Sequence, residues 1–185
     1  VGVDERLNLS SVTVSEVVTN LTATTEFSTG VTIIDGNDSI GRTLTGSANN
    51  DNLSGLGGDD TFIMGGGDDV LVGGAGNDTF KIAASSDISN GIDLSGGPGT
   101  ADTLTVSSNS VSVLNFPSEN TFMATLETFN ITGGADSGVA VSIGSNAFDN
   151  SPSFTTLTAD GTSDSLSVFS EFGDTGVDLR DITLT

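Results

Sequence analysis

The chain has 185 residues, with 25 Asp and Glu against four Lys and Arg, a formal net charge of −21, and no Cys, His, Trp or Tyr. That balance repels nucleic acid and anionic membrane surfaces, and it opposes compaction unless cations gather on the chain. Without thiols or imidazoles there are no disulfides and no soft-metal sites, so the metals left to consider are hard cations that prefer oxygen.

Residues 1–45 show alternation in SVTVS (11–15), VTII (31–34) and TLT (43–45). They read as an N-terminal β segment that caps the open end of a solenoid, since an exposed strand edge recruits other chains. A short helix from Ser15 to Leu21 is the alternative reading of part of it. Val1 opens neither with Met nor with a basic, apolar leader, as expected of a mature piece or an internal fragment. No run approaches the roughly 18 apolar residues of a membrane span, so no membrane insertion is expected.

Residues 46–105 carry a repeat. Asp51, Asp60, Asp69 and Asp78 recur every nine residues, and Leu53, Phe62, Leu71 and Phe80 follow each of them by two. The units read GSANNDNLS (46–54), GLGGDDTFI (55–63), MGGGDDVLV (64–72) and GGAGNDTFK (73–81), and the last fits G-G-x-G-x-D-x-U-x throughout. Six Gly-rich residues turn, and three residues form a strand whose central apolar side chain points inward. The stretch GGPGTADTLTV (96–106) keeps this order with extra residues, placing Asp102 and Leu104 in the same roles.

Residues 106–185 read as a wider β-solenoid continuing the same stack. A period of 25 connects Leu104, Phe129, Phe154 and Leu179, and another connects Phe116, Val141 and Leu166. The fold class expected for the whole chain is all-β, a right-handed parallel β-roll or β-helix solenoid. Thr pairs flank an inward Leu in TLT at 43–45, 103–105 and 183–185 and in TTLT at 155–158. Their irregular spacing speaks for strand residues suited to solvent rather than for a flat ice-binding face.

Two nonapeptides make one coil, so turns 18 residues apart stack, Asp51 over Asp69 and Asp60 over Asp78. Two bare carboxylates about 4 Å apart repel by about 4 kcal/mol at an effective dielectric of about 20, and a divalent cation between them reverses the sign. Calcium suits the turns better than magnesium, because it accepts six to eight oxygens in irregular geometry, including backbone carbonyls. One site is expected between turns 46–51 and 64–69, and a second between turns 55–60 and 73–78. The candidate ligands are the four aspartates together with Asn49, Gly55, Gly57, Asp59, Gly66, Asp68, Gly73, Gly74 and Gly76. Asp87 adds a possible third site with Asp69, and Asp102 extends the series. Two or more Ca2+ ions are expected.

The four units resemble those of RTX proteins, the calcium-binding repeat family secreted by Gram-negative bacteria. The resemblance implies a parallel β-roll with calcium in its turns, type I secretion, and folding on meeting external calcium. Ser47 and Asn49 in the first unit and Met64 in the third replace glycines of the pattern. The order GGPGTADTLTV, ATLETFNITG (124–133) and FTTLTADGTSDSLSV (154–168) is similar to RTX-type bacterial S-layer proteins, the Caulobacter type above all. What this implies is an extracellular, cell-surface lattice block that associates with copies of itself. The other reading is a calcium-dependent folding or secretion domain of a larger secreted enzyme, toxin or adhesin.

Catalysis is not expected. Asp59-Asp60 and Asp68-Asp69 recur alike in tandem, whereas an acid–base pair needs two different environments. GGGDDVLVGGAG lacks the Lys of a phosphate loop and has acids that repel phosphate. A polysaccharide-acting β-helix is disfavoured by the missing Trp, Tyr and His.

Overall fold

A computed structural model describes residues 39–84, 87, 92–108 and 121–133, and elsewhere 5–8, 20–22, 31–34, 113–116, 140–144, 156–159, 164–169 and 183–184. Among these residues the chain forms parallel β-strands and no α-helix. In chain order they are β1 (Glu5–Asn8), β2 (Asn20–Thr22), β3 (Val31–Ile34), β4 (Thr43–Thr45), β5 (Asn52–Gly57), β6 (Thr61–Ile63), β7 (Asp69–Ala75), β8 (Thr79–Ile82), β9 (Ile92–Ser95) and β10 (Thr103–Ser108). They continue with β11 (Val113–Phe116), β12 (Thr121–Ala124), β13 (Thr128–Gly133), β14 (Ala140–Gly144), β15 (Thr156–Ala159), β16 (Ser165–Phe169) and β17 (Thr183–Leu184).

The chain alternates between two growing sheets. One has the order β1-β3-β5-β7-β9-β12, and the other runs β2-β4-β6-β8-β10-β13-β15-β17. Strands β11, β14 and β16 form a third sheet, so the later coils add strands that the nonapeptide coils lack. Through the repeat the coil length is 18 residues, with Leu53 paired to Leu71 and Phe62 to Phe80. This is the β-roll expected from two nine-residue units per turn of the chain.

Alternation builds the core. In β6 the pattern is half-buried Thr61, buried Phe62 and exposed Ile63, because successive side chains point to opposite sheet faces. Leu44, Phe62, Phe80 and Leu104 stack in one ladder, and Ile33, Leu53, Leu71 and Leu94 in the facing one. All eight side chains are buried. The rings of Phe62 and Phe80 stack with centroids 4.8 Å apart and planes 13° from parallel. Each such side chain contributes roughly 1.5–3 kcal/mol by leaving water, and thin coils offer few others. Phe80→Ala is therefore expected to cost about 3–5 kcal/mol, read as a lowered urea midpoint in saturating calcium.

The wider coils depart from a constant period. Leu104 pairs with Phe129 and Val141 with Leu166, each 25 residues on, as the spacing predicts. Phe129, however, pairs with Leu157, and Leu157 with Leu184. Val141 takes Leu114 as its other partner, and Phe116 pairs with Ile143. Phe154 and Leu179 lie outside the described residues, as does SVTVS (11–15). Strands β1 and β2 stand at the ends of the two sheets, pairing with β3 and β4. Asn20 and Leu21, part of the alternative helix, are in strand β2, and Ser15 to Thr19 lie outside the described residues.

Register also reorders the threonines. Thr43, Thr61, Thr79, Thr103, Thr128, Thr156 and Thr183 pair in one uninterrupted column, although their sequence spacing is uneven. The next outward column, two residues along, is mixed, with Thr45, Ile63, Lys81, Thr105, Asn130 and Thr158.

Candidate metal sites

The turns before β6, β8 and β10 each end in an acid whose carboxylate is held by the main chain of the previous coil. Asp60, Asp78 and Asp102 precede β6, β8 and β10, and all three are buried to 1 % exposure or less. Their carboxylates tie one coil to the one before it. Asp60 Oδ1 accepts the Arg42 amide at 2.7 Å, Asp78 Oδ1 the Asp60 amide at 2.8 Å, and Asp102 Oδ1 the Asp78 amide at 2.7 Å. Glu127 ends the series, its Oε2 accepting the Asp102 amide at 2.8 Å. Thr79 and Thr103 donate in return to the main-chain carbonyls of Asp60 and Asp78.

The second carboxylate oxygens have no such donors. Oδ2 of Asp60, of Asp78 and of Asp102 is buried and accepts no hydrogen bond. Each lies against a glycine of its own turn, where a carbonyl from the next coil also arrives. A Cβ on Gly55 would meet Asp60 Oδ2 and the Gly73 carbonyl oxygen; on Gly73, Asp78 Oδ2 and the Gly96 oxygen; on Gly96, Asp102 Oδ2 and the Thr125 oxygen. Two acceptors converge at each place, and although the Gly96 oxygen also accepts the Gly74 amide at 2.9 Å, none of the three Oδ2 atoms has a donor. Buried acceptors left in this state cost free energy, so a cation or a proton belongs there.

The opposite turns differ. Asp69 Oδ1 accepts the Asp51 amide at 2.9 Å, so the predicted stacking of these two holds. Asp51, however, is served by Ser47, whose amide and hydroxyl donate to its carboxylate at 2.6 Å and 2.9 Å. The hydroxyl of Ser47, at a glycine position of the pattern, thus supplies a donor of a kind that Oδ2 of Asp60, Asp78 and Asp102 lacks. Buried Asp87 accepts the amides of Ala83 and Ala84 at 2.9 Å and 3.0 Å, and its charge is felt at Asp69.

Burial pushes the Asp69 carboxyl up to about 7, against the partly offsetting hydrogen bond from Asp51 and helped by the charges of Asp51, Asp68 and Asp87. Asp78 is pushed up to about 6 by burial, opposed by the Asp60 amide and reinforced by Asp102 and Asp59. Asp102 is raised for the same reasons, with Glu127 its strongest like-charged neighbour. Carboxylates held charged at neutral pH in such places need a counter-ion.

The remaining candidates fall into two groups. Gly55, Gly57, Gly66 and Gly73 are buried, Gly55 and Gly57 at the end of β5 and Gly73 within β7. Gly74 and Gly76 have φ of 106° and 141° and stand over the carbonyls of Leu56 and Gly58, so their positions exclude side chains twice over. Asp59 and Asp68 are exposed. They belong to an outer ladder in which Asp59 Oδ1 accepts the Asn77 amide and Asn50 Oδ1 the Asp68 amide. The amide of half-buried Asn49 is used locally, on the Ser47 hydroxyl.

Among the described residues no three acidic side chains gather around one point, so any ion here must draw most of its ligands from main-chain carbonyls. Glycine turns supply those, and an irregular all-oxygen shell fits calcium. Residues 45–80 match the RTX calcium-binding nonapeptide repeat, in four copies. RTX repeats bind calcium, which identifies the cation for this segment, about a fifth of the chain. No curated protein and no solved structure gives a significant match.

Sequence reasoning missed Glu127, Arg42 and Thr125. A signal was present for the first two: Glu127-Thr128-Phe129 and Arg42-Thr43-Leu44 occupy the same register as Asp78-Thr79-Phe80 of the last RTX repeat.

Proposed function

We propose that the chain is a non-catalytic, calcium-stabilised module of a secreted cell-surface protein, built to assemble with copies of itself in an S-layer-like lattice. The observation that carries this reading is the row of buried, donorless carboxylate oxygens inside one continuous parallel stack. Such a stack is rigid only when its charges are neutralised, which makes external calcium the condition for a rigid building block. Two or three Ca2+ ions neutralise four to six of the 21 net negative charges. The rest remain on the outside, where calcium can bridge facing acidic surfaces of neighbouring subunits. The exposed aspartates of the outer ladder, Asp59 and Asp68, are of this kind.

Negative-stain electron microscopy of the purified chain tests the lattice. Ordered sheets or filaments are expected in millimolar calcium and dispersal in chelator. Monomers that persist in calcium at high protein concentration would instead favour a folding or secretion domain of a larger secreted enzyme, toxin or adhesin.

A further inference from the structure

The RTX repeats end at residue 80, yet the row of donorless oxygens does not. We propose that a further calcium ion binds one coil beyond the repeats, between the Asp102 carboxylate and the main-chain carbonyl of Thr125. This rests on the calcium reading of the repeats themselves and extends it to a coil of different length and sequence.

Asp102 is 0 % exposed, and its Oδ2 is buried without a hydrogen-bond donor, as in Asp78. Its Oδ1 is engaged by the Asp78 amide, which fixes the carboxylate and leaves the other oxygen aimed into the turn. The Thr125 carbonyl oxygen converges with Asp102 Oδ2 at the place a Gly96 Cβ would fill. It is brought there by a left-handed residue, since Thr125 has φ of 52°. A threonine adopts that conformation only against a local cost, and Gly73 and Gly96, whose carbonyls hold the corresponding places in the earlier turns, are not left-handed. The Thr125 hydroxyl secures the turn by accepting the Gly97 amide at 2.7 Å. Glu127 holds the Asp102 amide and adds a second negative charge to the same turn. The parts of a repeat site are thus present: a buried acid, a glycine cradle and a carbonyl from the next coil. The sequence hides them, because 24 residues separate Asp78 from Asp102, not 18.

Calorimetric titration of the full chain with calcium tests the proposal. Asp102→Asn should bind one ion fewer per chain than the wild type, while Asp93→Asn, on an exposed position of β9, should bind the same number. Equal stoichiometry for Asp102→Asn and wild type would overturn it, with the repeat ions still present to show that the parent reading stands. Absence of any bound calcium in the wild type would overturn both. If Asp102→Asn does not fold in calcium, the wild type decides through its carbonyl 13C resonances. The Thr125 carbonyl should shift on calcium binding as those of Gly73 and Gly96 do. A Thr125 resonance that stays in place while the other two move would refute the site.

Discussion

Stripping calcium from the isolated chain is expected to remove most of its far-UV β signal, and returning calcium to about 0.1–1 mM, the range of extracellular modules, is expected to restore it. The size of the effect reflects how little else holds the fold. Each coil presents a thin core, with one or two large apolar side chains per sheet, and no disulfide is available. Against that core stand, among the described residues, six buried aspartates, Asp51, Asp60, Asp69, Asp78, Asp87 and Asp102. In chelator Asp69, Asp78 and Asp102, all pushed up by burial, either stay charged in a low-dielectric turn or take up protons. Either way the native state loses free energy relative to an extended chain, whose carboxylates are hydrated and far apart. Calcium bound to the native state alone stabilises it by mass action, about 2.7 kcal/mol at a hundredfold excess over the dissociation constant for each ion. Two such ions exceed a third of the stability of an ordinary domain, about 5–15 kcal/mol. A circular dichroism spectrum unchanged by chelator would show that the core suffices without metal.

Acid should partly replace calcium. In the metal-free fold Asp69 titrates near 7 and Asp78 near 6, both above the ordinary 3.8 of an unfolded chain. The native state then binds more protons than the unfolded one between about pH 4 and 7, so metal-free stability falls as pH rises across that window. Below pH 4 both states are protonated and the native state keeps the full benefit. Above pH 7 it has lost it. In chelator, part of the β signal absent at pH 7.5 should therefore return at pH 5. With calcium present the order inverts, because protons and the metal compete for the same oxygens, and the calcium midpoint should move to higher concentration as pH falls below about 6. A metal-free spectrum that does not change between pH 5 and 7.5 would mean these carboxylates are hydrated.

Much of this was legible in the residues. Asp and Leu or Phe keep one nine-residue period through the repeat, and a strand's alternation leaves only one inward position per unit, so the 18-residue coil and its core could be read directly. The wider coils resisted the same treatment. A constant period of 25 found the partners of Leu104 and Val141 but missed Leu157 and Leu184, because the turns between these strands vary in length while the ladder register does not. The threonine column was obscured for the same reason. The site was legible to the level of which acids stack, Asp51 on Asp69 and Asp60 on Asp78. The difference between the two sides of the roll was not, since it depends on where Ser47 points its hydroxyl and on which oxygens the neighbouring amides leave unserved. Asp59 and Asp68 looked equivalent to their neighbours in sequence, yet one step along a strand puts a side chain on the outside.

A crystal structure of the chain grown in calcium, with an anomalous difference map, tests the central claim most directly. The account predicts peaks between coils, beside Asp60 Oδ2 at the Gly73 carbonyl and beside Asp78 Oδ2 at the Gly96 carbonyl. A map with no peak at either place, and both carboxylates turned out to water, would contradict it.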